Sequence, residues 1–256
     1  MELIKYMSYN FYIPFFYFIK TRLKRKVKIA SWLFIYHVPI LLFSYLYNDY
    51  VGFNILCVIV VIYCLYEIGY IYNDTETIKN EINPTLRLCS NELDYYEKHK
   101  YRIYLVRILI ALSLCLWYAI CYGKYDIFLT WLILPVFLYY NLIRSRFNLI
   151  LHFILVTLRF SLPFYILSSS IMFFIASLLL FPLLNLIERC AENRFNLCFF
   201  QGFLLSNKTS GRYIYYFLIA IFLAPFCIMY NQLVSILFVC IYFLLFRLFS
   251  LKLSRV

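Results

Sequence analysis

The chain has 256 residues, of which 65% are hydrophobic and only 14% charged; its mean hydropathy is +0.80. A soluble domain is about 45–50% apolar, so the composition excludes an ordinary water-soluble fold and describes a polytopic membrane protein. The net charge of +12 does not indicate a nucleic-acid partner, because the basic residues lie in short segments between apolar runs and no domain remains outside the membrane to carry a binding groove.

Residues 1–28 form a separate N-terminal segment, aromatic at first and then strongly basic from Lys20 to Lys28. This pattern predicts an interfacial stretch on the cytoplasmic side, its cations facing anionic headgroups. The remainder, 29–256, reads as one transmembrane domain. Apolar runs at 29–47, 51–71, 103–122, 126–143, 148–169, 170–187, 213–229 and 231–250 predict eight spans. Each is near the length of roughly 20 residues that a helix needs to cross the hydrocarbon layer. The run 148–187 is divided at Pro163 and Ser168–Ser170, where turn-forming residues gather. Backbone groups must be satisfied internally in lipid, so the expected fold is all-α, a bundle of about eight helices.

Every second loop is basic, and the opposite loops hold little beyond Lys124. The positive-inside bias therefore predicts that both termini and the two long loops, 72–102 and 188–212, face the cytoplasm. The expected location is a bacterial inner membrane. Nine cysteines are scattered through apolar runs without Cys-x-x-Cys or zinc-ligand spacing, so disulfides are not expected.

Each long loop opens with acidic residues. Offsets 0, 3 and 7 from Asp74 give Asp74, Thr77 and Glu81, and the same offsets from Asn185 give Asn185, Glu188 and Glu192. On a continued helix each set shares one face. A diphosphate repels carboxylates, but Mg²⁺ between them reverses the sign, taking oxygen ligands from both and stabilising charge on a leaving oxygen. Lys79, Arg87, Arg189 and Arg194 are close enough in sequence to hold phosphate oxygens.

The sequence Asn73-Asp74-x-x-Thr77-x-x-x-Glu81, with Pro84 and Arg87 following, resembles the first aspartate-rich motif of the UbiA-type intramembrane prenyltransferases. Glu188-x-x-x-Glu192 stands where that family carries its second motif, and Tyr139-Tyr140-Asn141 with Arg144 and Arg146 resembles the end of its fourth helix. The chain departs from the family at Thr77, which replaces an aspartate, and at 81, 188 and 192, where Glu replaces Asp. It is also one helix short of the family's usual nine.

The resemblance implies a UbiA-like transferase in which Asp74, Glu81, Glu188 and Glu192 are metal ligands and catalytic groups. Asn73, Arg87 and Arg146 then join Lys79, Arg189 and Arg194 around a diphosphate. The implied cofactor is Mg²⁺ and the implied partner a polyprenyl diphosphate whose prenyl group passes to an acceptor. A related branch of the family transfers a phosphoribosyl group from phosphoribosyl diphosphate to a polyprenyl phosphate. A reading from a different class is a transporter or flippase for an anionic lipid-linked solute. The expected surroundings are membrane lipids, and nothing points to an obligate protein partner.

Two ionisable residues fall inside predicted spans. Glu67 lies seven positions before Asp74, and Arg159 near the middle of the fifth span. A lone charge at that depth is costly, so the two are expected to pair.

Overall fold

A computed structural model describes residues 9–48, 52–143, 145–192, 195, 197, 200–201 and 208–253. Among these there are helices and connecting turns and no strand. Among the described residues eight helices are long and apolar enough to cross a membrane, in the order the hydropathy predicts, and the chain is an integral membrane protein. It divides into two compact units, one made of 1–33 with 56–144 and the other of 34–55 with 145–256.

The first unit begins with a helical turn at 9–12, followed by α1 (Phe16–Arg22) and α2 (Lys26–Trp32). Its centre is α4 (Phe53–Thr75), an almost unbroken apolar sequence. Beside it runs α5 (Ser90–Tyr122). At 1.5 Å per residue α5 is roughly 50 Å long, so its charged first turns extend beyond a hydrocarbon layer of about 30 Å. Glu92 closes the N-terminal end of α5 by accepting from the Cys89 N–H at 3.0 Å. Gly123 ends it in the left-handed region, at φ 63°. A 3₁₀ segment, Tyr125–Leu132, then leads into α6 (Ile133–Leu142). Here the Phe137 ring of α6 packs directly on the α4 backbone at Gly69. A Cβ on Gly69 would lie 2.3 Å from a carbon of the Phe137 ring, and Asn141 Nδ2 donates to the Gly69 carbonyl at 3.2 Å.

The second unit contains α3 (Val38–Asn48), α7 (Asn148–Ser168), α8 (Ile171–Leu180), α9 (Pro182–Cys190), α10 (Lys208–Met229) and α11 (Val234–Leu253). The turn predicted at Ser168–Ser170 is present, with Ser169 left-handed at φ 54°. Pro163 is not part of that turn but lies inside α7. The sixth span is interrupted at Phe181, because Pro182 cannot donate into a continuing helix and instead begins α9. Phe43, Phe160, Phe164, Phe173, Tyr216 and Phe243 are wholly buried in the core of this unit. The eight cysteines among the described residues are free thiols.

Candidate functional site

The polar architecture of the first unit starts at Glu67, which is completely buried. Its carboxylate accepts from the backbone N–H groups of Phe15 at 3.0 Å and Phe18 at 2.6 Å. These are orphan donors at the start of α1, so Glu67 caps that helix from another part of the chain. Arg107, on α5 and equally buried, donates to Glu67 Oε2 at 2.7 Å. The same guanidinium donates to the carbonyl of Phe11 at 2.6 Å and to those of Asn10 and Ile13 at 3.4 Å. The anion thus closes the N-terminal end of α1, and the cation closes the C-terminal end of the helical turn before it. Between them Phe15 takes φ 73°, a conformation a non-glycine residue holds only when its surroundings enforce it.

This corrects the pairing expected from the sequence: the partner of Glu67 is Arg107, not Arg159. Arg159, in the second unit, donates to the Tyr36 hydroxyl and lies 4.0 Å over its ring. Both members of the true pair lie inside apolar spans and have opposite sign, which is the signal that the sequence offered.

The clamp turns the N-terminal segment inward. Phe11 and Tyr17 are fully buried, packed with Ile71, Leu88, Tyr96 and Ile103. Tyr17 and Arg22 are thereby delivered to Asp74, which is 1% exposed at the end of α4. Arg22 grips the carboxylate with both arms, Nη1 to Oδ2 at 2.8 Å and Nη2 to Oδ1 at 2.9 Å. Tyr17 donates to Oδ2 at 3.0 Å, Arg87 to Oδ1 at 2.9 Å and Asn73 Nδ2 to Oδ1 at 3.1 Å. Tyr70 lies beneath the Arg22 guanidinium, 4.6 Å from ring centroid to Cζ, adding cation–π attraction.

One carboxylate therefore faces two guanidiniums, and the cluster carries excess positive charge. Burial pushes the Tyr17 phenol up, and the neighbouring Asp74 charge pushes it further, so this hydroxyl remains a donor. Burial works against the Arg22 cation, but hydrogen bonding and attraction from Asp74 outweigh it and hold the guanidinium above its ordinary value. The Arg22 and Arg87 side chains are 18% and 30% exposed. Each guanidinium has N–H groups beyond those given to Asp74, and these can meet an anion from outside.

The expected helical face of Asp74, Thr77 and Glu81 does not form. The α-helix stops at Thr75, whose hydroxyl donates to the Ile71 carbonyl at 2.7 Å. A 3₁₀ turn, Thr77–Asn80, follows, and Glu81 is extended at φ −97°, ψ 134°. Lys79 does not reach Asp74 but joins Glu76 at 2.8 Å and Glu97 at 2.5 Å. Tyr96 donates to Glu76 at 2.8 Å, and Lys20 pairs with Glu92. Of the candidates in this unit, Asn73, Asp74 and Arg87 come together, joined by Arg22 and Tyr17.

In the second unit, α9 ends at Cys190, so Asn185 and Glu188 are helical whereas Glu192 lies in the following turn. Their partners differ. Asn185 Oδ1 meets His152 Nε2 at 3.0 Å, Glu188 receives Arg212 through Nε at 2.5 Å and Nη2 at 2.9 Å, and Arg189 stands 4.0 Å from Glu192. Arg146 is exposed. Arg194 and Arg144 lie outside the described residues.

Mg²⁺ takes carboxylate, substrate or water oxygens. Both oxygens of Asp74 are spent on five donor groups, three of them on guanidiniums, and Glu188 is held in the same manner by Arg212. As arranged, these residues fit an anion next to the guanidiniums and do not fit a cation on the carboxylates. No family model, curated protein or solved structure matches the chain.

Proposed function

We propose that the chain is a UbiA-like transferase of the bacterial inner membrane, with both termini cytoplasmic, that takes a polyprenyl diphosphate and passes its prenyl group to an acceptor within the membrane. The observation that carries this reading is the convergence of Asn73 and Arg87, motif residues 14 positions apart in sequence, on the buried Asp74 carboxylate, with Arg22 beside them.

In this reading Asp74 is a positioning residue. It holds two forks of N–H donors at the end of an apolar helix, where a diphosphate headed by an isoprenoid tail would arrive. Arg22 and Arg87 then bind the diphosphate oxygens, bidentate contacts being the strong ones for such groups. The bond between the prenyl carbon and its bridging oxygen breaks, and diphosphate leaves with the electron pair. The acceptor supplies the pair for the new bond and releases its proton to solvent. The two guanidiniums stabilise the charge gathering on the leaving oxygens.

The test is diphosphate release by purified protein in lipid nanodiscs, supplied with radiolabelled polyprenyl diphosphate and a membrane extract as acceptor, with and without Mg²⁺. Phosphoribosyl diphosphate with polyprenyl phosphate forms a second arm. Release from the prenyl donor that falls at least 100-fold in Arg87→Ala and in Arg22→Ala is expected, the loss of one charge-stabilising donor being worth roughly 10²–10³ in rate. Release from neither donor, or release indifferent to both substitutions, overturns the reading.

A further inference from the structure

The second unit buries a different cationic cluster. Arg247 on α11 is 6% exposed, and its Nε has no hydrogen-bond partner among the described residues. Tyr216 on α10 is completely buried beside that guanidinium, and its hydroxyl donates to no acceptor among the described residues. The phenol is fixed by stacking on Phe243, with centroids 5.0 Å apart and planes 6° from parallel. Arg212 precedes Tyr216 by one turn of α10 and Arg247 follows Phe243 by one turn of α11, so the stacked pair brings the two arginines to the same end of the two helices, with the Arg247 guanidinium against the Tyr216 hydroxyl. Glu188 is the acid of the group, and Arg212 engages both its oxygens. One carboxylate again stands against two guanidiniums, but here the second cation and a hydroxyl are buried with donors unused.

Buried donors are ordinarily satisfied, and a buried cation ordinarily has a counter-charge. The unused groups are a guanidinium N–H and a phenol O–H, donors only toward an anion, and the surplus is one positive charge. A phosphoryl oxyanion matches the charge and accepts from both kinds of donor. Depth narrows its origin. Glu188, Arg212 and Arg247 each lie within four residues of the end of a span, those spans being Ile171–Cys190, Ser210–Met229 and Asn231–Leu251. At 1.5 Å per residue this places them roughly 3–6 Å inside the helix ends, the level of lipid headgroup phosphates.

We propose that Arg247, Arg212 and Tyr216 form a binding site for the phosphoryl group of a membrane lipid. The site belongs to the second unit alone and does not depend on the transferase reading, since it is tested by binding without any donor substrate.

The experiment measures the thermal unfolding of the full chain, purified in detergent, on adding dioleoylphosphatidylglycerol, dioleoylglycerol or inorganic phosphate. The phospholipid raises the midpoint, and dioleoylglycerol, which has the same tails and no phosphate, does not. Arg247→Gln weakens phospholipid binding at least tenfold. Tyr216→Phe, which removes one hydroxyl and keeps the ring, weakens it several-fold and serves if the arginine variant does not fold. Glu188→Gln strengthens binding, because it removes the carboxylate that competes for Arg212; a purely structural role for the cluster predicts the opposite. Equal response to dioleoylglycerol, or phospholipid binding unchanged in both Arg247→Gln and Tyr216→Phe, overturns the proposal. Inorganic phosphate matching the phospholipid overturns the lipid as the source.

Discussion

Replacing Arg107 with Ala removes the cation from a pair whose members are both 0% exposed. It leaves the Glu67 carboxylate buried without its counter-charge and strips a donor from the carbonyls of Asn10, Phe11 and Ile13. Breaking one side of a buried ion pair costs about 3–5 kcal/mol. The burial of Phe11 and Tyr17 contributes about 1.5–3 kcal/mol for each ring, so the clamp is of the same size as the two aromatic anchors together. At 1.4 kcal/mol per factor of ten, the docking equilibrium of residues 9–22 shifts by roughly 100- to 4,000-fold.

Hydrogen–deuterium exchange reads this directly, because the Phe15 and Phe18 amides are the ones bonded to Glu67. Peptides covering 9–22 should exchange faster by that factor in Arg107→Ala, while peptides from α7 stay as they were. The combined Glu67→Gln, Arg107→Met variant should lose less than the sum of the single changes, since it leaves no buried charge. Unaltered protection at 9–22 in Arg107→Ala would refute the argument that this pair holds the segment.

Three further outcomes follow from individual contacts. Gly69→Ala places a methyl 2.3–2.6 Å from three carbons of the Phe137 ring; it should destabilise the protein by about 1–3 kcal/mol in thermal unfolding, and Phe137→Leu in the same chain should recover part of the loss. Ser169→Gly relieves a left-handed conformation at φ 54° and should stabilise by about 1 kcal/mol, seen as a higher unfolding midpoint. Burial, and then the hydrogen bond to Tyr95, push the Tyr12 phenol up to about 12 from 10.0; because its folded value is raised, its contribution to docking is complete below pH 10 and is lost as pH climbs through 12. Exchange at 9–22 should therefore accelerate over that interval, and Tyr12→Phe should flatten the profile.

The eight spans were legible because hydropathy alone separates apolar runs of this length, and the Ser168–Ser170 turn because its residues are poor at continuing a helix. The acidic motifs were legible as clusters but not as surfaces. A seven-residue offset gives one face only if the helix continues, and Thr75 and Cys190 end theirs too soon. Asp74 and Arg87 were both identified, yet Arg22 was read as one of a row of headgroup-facing cations. Nothing in its neighbourhood distinguishes it from Lys20 or Lys24; what selects it is the bend at Phe15, which depends on Glu67 fifty-two positions away. Arg107 was within reach of the sequence, being a cation inside a predicted span, but Arg159 satisfied the same criterion. Choosing between them requires knowing which helices are neighbours, and periodicity does not carry that.

The clamp also constrains the order in which the protein can be made. Residues 9–22 leave the ribosome well before Arg107, whose contact with Phe11 spans 96 positions, so the opening segment must wait, unsheltered, for the third span to be synthesised. During that interval Glu67 has no counter-charge, and an ionised acid inside an apolar span is costly to insert. Entry of the second and third spans as a pair, rather than one after the other, removes that cost, and the early residues then settle onto a frame that was translated after them.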